Sequence, residues 1–184
     1  MKFSDYLEYW NSESREGVKY LKDWHFYRDT RSYFSAYETP SYFCSDWLNE
    51  WWQFKHAADD QEENDYRFVY IGPKTSWTPL HSDVFGSFSW SANIAGKKKW
   101  IFLIPGEEDK LRDSLGNLSF DINLENMENH NAIEIIQESG EIVFVPSGWF
   151  HQVHNLEDTI SINHNWFNGA NVKKIAISLM TELR

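Results

Sequence analysis

The stretch Ser87-Phe88-Ser89-Trp90-Ser91-Ala92-Asn93-Ile94 decides the fold class. Successive side chains of an extended strand point to opposite faces, so Ser87, Ser89, Ser91 and Asn93 share one face and Phe88, Trp90, Ala92 and Ile94 the other. Small polar groups begin four residues after Asp83, and we read them as one wall of a wet cavity with the aromatics packed outside. Thr159 to Trp166 repeats the device, with Ser161, Asn163 and Asn165 opposite Ile160 and Ile162. Working outward, Arg67 to Ile71, Lys98 to Ile104, Ile133 to Ile136 and Glu141 to Val145 are further short β-type runs separated by Gly, Pro and Asn. Short strands between turn signals, without alternating helices, point to a barrel or sandwich and not to a parallel βαβ sheet.

Helices are expected to flank this core. Phe3, Tyr6, Leu7 and Trp10 recur at helical spacing after a candidate cap at Ser4, and Val18 to Trp24 alternates as a strand would. Trp47, Leu48, Trp51 and Trp52 predict a second helix after Ser45, followed by a solvated acidic connector over Ala57 to Asn64. The segment from Pro105 to Asn131 is long, irregular and acidic (Glu107, Glu108, Asp109, Asp113, Asp121, Glu125, Glu128), the composition of a binding loop or of a solvated insertion. Val172, Ile175, Ala176, Leu179, Met180 and Leu183 form a last apolar stripe, expected to pack on the β core or on a second copy in a homodimer. The expected organisation is one domain over 1–184, with a helical flank at 1–65, the β core at 66–167 and a terminal helix at 168–184.

The chain has 184 residues and a net charge of −11, from 17 Lys+Arg against 28 Asp+Glu. Its 13 Phe, 10 Trp and 9 Tyr belong to a packed body and not to an acidic tail. An acidic protein without a basic stretch gains little from counterion release, so nucleic acid is not expected as a partner. No apolar run reaches membrane-spanning length and the N-terminus lacks a signal-peptide core. The single Cys44 forms no internal disulfide framework and reads as a small buried hydrophobe. The expected compartment is the cytoplasm, with the nucleus as the other option.

His81-Ser82-Asp83 places an imidazole and a carboxylate on one face of an extended backbone. A third ligand from a distant strand completes a two-histidine, one-carboxylate set, which binds one side of an octahedral Fe(II) and leaves the other positions open. His130, His151, His154 and His164 are the candidates, and His151 is best placed, after the apolar run Ile142 to Val145 and the turn Pro146-Ser147-Gly148-Trp149. Within Lys97-Lys98-Lys99, Lys98 shares a face with Trp100 and Phe102, so its ammonium needs an anionic partner if it is buried.

These residues, together with Gly140-Glu141-Ile142-Val143-Phe144-Val145-Pro146-Ser147-Gly148-Trp149-Phe150-His151, resemble the JmjC family of Fe(II)- and 2-oxoglutarate-dependent oxygenases over nearly the whole chain. The resemblance implies a mainly β, double-stranded β-helix fold of the jelly-roll or cupin-like type. It also implies that His81, Asp83 and His151 bind iron and that Lys98 pairs with the distal carboxylate of 2-oxoglutarate, dioxygen being the other cosubstrate. Tyr20, Thr78, Ser91 and Asn163 match positions that line the cosubstrate in related hydroxylases. Segments such as Tyr20 to His25, Ser45 to Asn49 and His151 to Asn155 are most similar to a branch of protein lysyl hydroxylases. That similarity implies hydroxylation of a lysine side-chain carbon in the eukaryotic translation termination factor. Two rivals share these residues: an N-methyl-lysine demethylase, and a cupin-like module that binds metal without turnover.

Overall fold

A computed structural model describes residues 1–30, 33–55, 65–122 and 131–182. The connector at 57–64, His56, Glu125, Glu128, His130, Leu183 and Arg184 lie outside the described residues. The chain begins with α1 (Phe3–Asn11), β1 (Leu21–Trp24), α2 (Phe26–Thr30) and α3 (Trp47–Lys55). Then come β2 (Arg67–Gly72), β3 (Trp77–His81), β4 (Phe88–Ala95), β5 (Lys98–Leu103), β6 (Ala132–Gln137), β7 (Ile142–Val145), β8 (His151–Asn155), β9 (Thr159–Trp166) and α4 (Val172–Glu182).

The strands form two antiparallel sheets, one ordered β1-β2-β9-β4-β7 and the other β3-β8-β5-β6. This is the expected mainly β architecture of two facing sheets with few helices. Register explains the cavity between them. Ser91 lies opposite Asn163 and Ser89 opposite Asn165, so the two polar strand faces meet on one wall. Trp100, Phe102, Val143, Val145 and Val153 fill the rest of the space between the sheets. Trp90, on the outer face of β4, stacks on Phe43 at 5.7 Å, so the aromatics pack outside as the alternation demands.

Two outer faces are covered by added segments. Val69 and Ile71 of β2 pack on Tyr6 and Tyr9 of α1. Ile101 and Leu103 of β5 pack on Ile122, Leu111 and Leu118 from the insertion between β5 and β6. That cover is why β5 reads as continuously apolar from Trp100 to Leu103, both of its faces being buried. Burial of such side chains stabilises by about 1.5–3 kcal/mol each.

Several expectations are corrected. Ser4 lies inside α1 and bonds to Asp5 without capping, and Tyr6 and Tyr9 are buried instead of Leu7. Asp46 caps α3, its Oδ1 accepting the Asn49 N–H at 3.0 Å, while Trp47 and Trp51 remain exposed. The strand in the N-terminal flank is shorter, Leu21–Trp24, and it joins the core sheet beside β2. Cys44 is exposed. Among the described residues of the α4 stripe, Ile175 is buried, in keeping with packing on the core, while Val172, Leu179 and Met180 are exposed. Strands β3 and β8 were not anticipated, because Pro79 and the polar His151-Gln152-Val153-His154-Asn155 hide the apolar alternation.

Gly96 makes the β4–β5 turn with φ +79°, and a Cβ there would sit 2.0 Å from the carbonyl oxygen of Asp158. Gly96→Ala is therefore expected to destabilise by more than about 1 kcal/mol in urea unfolding. An unchanged midpoint would mean that the turn gives way freely.

Candidate metal centre

β3 and β8 pair with His81 opposite His151, and this register builds the site. Their rings lie 4.3 Å apart between centroids. Asp83 follows the end of β3 with φ −64° and ψ 150°, still extended, so its carboxylate returns to the face of His81. One ligand atom from each of His81, Asp83 and His151 lies within 4.8 Å of the others.

Second contacts orient each group. His81 Nδ1 bonds to the carbonyl of Pro79 at 2.8 Å and His151 Nδ1 to that of Trp149 at 3.1 Å. A carbonyl accepts only, so Nδ1 carries the proton and both Nε2 lone pairs are left for a metal. Ser89 Oγ donates to Asp83 Oδ2 at 2.7 Å, which leaves Oδ1 to the site. Burial is the main cause that holds His151 down at about 4; Asp83 opposes the shift and His81 adds to it. The ring is thus a neutral ligand at physiological pH. Two imidazoles and one carboxylate on one side fit a six-coordinate divalent cation with its remaining positions facing the cavity.

The adjoining cavity has a volume of about 440 Å³. Tyr20, Tyr70, Thr78, Lys98, Trp100 and Asn163 are among its lining residues. Lys98 is 1% exposed, and its Nζ donates to Ser161 Oγ at 2.6 Å. No described carboxylate forms an ion pair with it. Burial alone lowers its pKa from 10.5 to about 7. Ser91 Oγ and Asn93 Oδ1 are buried without a hydrogen-bond partner among the described residues. A buried lysine in the wall of a cavity beside a metal set suits a small anionic ligand, whose charge would favour the protonated amine.

Residues 68–166 match the family model described as "JmjC domain, hydroxylase". The chain belongs to the JmjC family. Across its full length it is 51% identical to "2-oxoglutarate and iron-dependent oxygenase JMJD4" of Danio rerio, covering 46% of that protein. It is 48% identical to the Homo sapiens protein of the same name, again with 46% covered. It is also 47% identical to "Arginine-specific demethylase JMJ20" of Arabidopsis thaliana, over 94% of this chain and 41% of that protein. The chain thus spans about half the length of these curated relatives.

In this JmjC chain the structure brings His81, Asp83 and His151 together and leaves His154 and His164, the other described candidates, elsewhere. His154 points away from the cavity, stacked on Trp77 at 5.6 Å and bonded to Gln152. His164 lies behind Trp90 at 4.1 Å, with its Nε2 on the Tyr37 hydroxyl. The Tyr20 hydroxyl lies near Asn155 and Thr78, and Asn163 Nδ2 donates to Ser161 Oγ at 3.2 Å. Ser91 is buried, paired across the strands with Asn163. Gly72 makes room for Tyr20, whose Cε2 would be 2.6 Å from a Cβ there.

Sequence reasoning missed Ser161 as the partner of Lys98, and Phe68 and Tyr70 as cavity walls. The alternation of β2 carries the signal for the latter pair, since they oppose Val69 and Ile71. The acidic insertion is also less free than its composition implies. Glu107 bonds to Lys110 and Asn131, and Asp121 accepts from Gln152 Nε2 at 2.7 Å.

Two outcomes follow. Ser89→Ala should weaken Mn(II) binding by about tenfold in calorimetry, because it frees the Asp83 carboxylate to rotate. Unchanged affinity would remove Ser89 from the site. Lys98→Met should stabilise the metal-free protein. Below pH 7 the folded state must bury the charged ammonium, at a cost of roughly 5 kcal/mol. Between pH 7 and 10.5 the unfolded chain binds a proton that the native one does not, so stability rises with pH there. From pH 7 to 9 the wild type should gain about 2 kcal/mol relative to Lys98→Met by urea unfolding. Parallel profiles would show that the ammonium is not desolvated.

Proposed function

We propose that this chain is an Fe(II)- and 2-oxoglutarate-dependent dioxygenase that hydroxylates a side-chain carbon of a lysine in the translation termination factor. The observation that carries the oxygenase reading is the buried Lys98 without a carboxylate partner, in the same cavity as His81, Asp83 and His151. His81 and His151 supply Nε2 and Asp83 supplies Oδ1. Lys98 pairs with the distal carboxylate of 2-oxoglutarate and takes up the proton that burial has made labile. Tyr20 and Thr78 line the same cavity. Trp100 and Val153 exclude water and so strengthen each electrostatic contact inside. Bound iron, with 2-oxoglutarate and dioxygen, supplies the oxidising chemistry that puts one oxygen into a C–H bond and releases succinate and carbon dioxide.

The lysine substrate is supported by the resemblance to lysyl hydroxylases and by the excess of acidic residues, which favours encounter with a basic surface. A second reading, removal of N-methyl groups, has the named demethylase at 47% identity in its favour. The two differ in product. Incubation with the termination factor should add one oxygen to an unmodified lysine, read by mass spectrometry. Formaldehyde from a methylated peptide, with no oxygen gained by the unmodified one, would transfer the assignment.

Lys98→Met should raise the 2-oxoglutarate concentration for half-maximal succinate formation by about tenfold or more, while Lys97→Met leaves it unchanged. Lys97 pairs with Glu138 at the surface, so equal effects would mean that only bulk charge matters.

A further inference from the structure

β1 does not pair evenly with β2. Leu21 faces Ile71 and Trp24 faces Val69, so three residue steps on one strand answer two on the other. The extra step is a β-bulge, a device that re-aims a side chain. Asp23 sits in it with φ +56°, a left-handed conformation costly for a residue other than glycine and best tolerated by Asn and Asp. Such a backbone persists where its surroundings hold it, and here the Tyr70 hydroxyl donates to Asp23 Oδ1 at 2.7 Å. The twist brings the carboxylate to the mouth of the cavity, where Asp23 and Tyr70 are both lining residues. No described ion pair includes Asp23, and Oδ2 has no hydrogen-bond partner among the described residues.

The surroundings of this carboxylate are aromatic. Tyr70 meets Tyr20 edge-on at 6.1 Å and stacks with Phe68 at 6.5 Å. The Lys22 ammonium already rests 5.7 Å from the centre of the Tyr20 ring, so this wall accommodates a cation. Aromatic faces beside an unpaired carboxylate are the chemistry that recognises an ammonium or guanidinium. Burial, followed by Asp23 itself, raises the Tyr70 hydroxyl well above 10, and Asp83 adds to the shift. Tyr70 therefore stays a donor at working pH and lies in the field of both the mouth and the metal set.

We propose that Asp23, held by Tyr70 at the cavity mouth, is the specificity residue that binds the positively charged head of the substrate side chain. This rests on the reading above that a protein side chain enters the cavity. A substitution is available that isolates charge from backbone: Asn tolerates the left-handed conformation, and its amide oxygen still accepts from Tyr70, so Asp23→Asn removes little but the anion.

The test uses the full chain loaded with Mn(II) and an array of peptides tiling the termination factor, each in a lysine form and in an isosteric norleucine form. The wild type should prefer lysine to norleucine at the recognised peptides by about tenfold. Asp23→Asn should reduce that preference to near unity with its circular dichroism unchanged, while Glu8→Gln, which removes one exposed charge from α1, should keep it. Equal preference in the wild type and Asp23→Asn, or no lysine preference in the wild type, overturns the proposal. A preference that depends on Asp23, at peptides that gain no oxygen when the iron-loaded enzyme acts on them, supports the proposal and overturns the termination-factor hydroxylation instead.

Discussion

The pairing of β3 with β8 is the constraint on which the site depends. It sets His81 against His151 and gives each ring a backbone carbonyl to bond through Nδ1. A slip of one residue would turn a ligand to the other face of its strand, because side chains alternate. The 3-10 turn Val84–Gly86 then starts directly after Asp83, with Gly86 N–H on the Asp83 carbonyl at 3.1 Å. Three donors from two sequence-distant segments converge without a long flexible side chain among them, and this favours a fixed geometry.

The interior that serves the site works against stability. A core of this size ordinarily excludes an unpaired ammonium, yet Lys98 is buried and, among the described residues, has Ser161 of the polar strand β9 as its one hydrogen-bond partner. Apolar packing elsewhere offsets that cost, through α1 on the outside of β2 and the insertion on the outside of β5. The insertion is also tied to the metal strand. Ile122 N–H donates to Gln152 Oε1 at 2.9 Å and Leu80 N–H to the Phe120 carbonyl at 2.8 Å. It braces β3 and β8 from behind, one residue from each histidine ligand.

How much of this the sequence carried depends on the kind of signal. The strict alternations in β4 and β9 made both polar faces and their outer aromatics readable, since period-two patterns translate directly into faces. His81 and Asp83 were readable together because their spacing is local. His151 could be singled out by its place after an apolar strand and a turn, but its pairing with His81 was not readable, as register between distant strands leaves no local mark. The bulge at Asp23 and the partnership of Lys98 with Ser161 were not legible, because each depends on how separate strands are aligned. Cys44 misled for a related reason: a small apolar residue states what can be buried and not what will cover it.

One metal held through His81 Nε2, Asp83 Oδ1 and His151 Nε2 is the arrangement on which the site rests. Crystals grown with Fe(II) and measured at the iron absorption edge should show one anomalous peak within coordination distance of His81 Nε2, Asp83 Oδ1 and His151 Nε2. A peak away from these three residues, or contacts through Nδ1 after loss of the Pro79 and Trp149 hydrogen bonds, would contradict it.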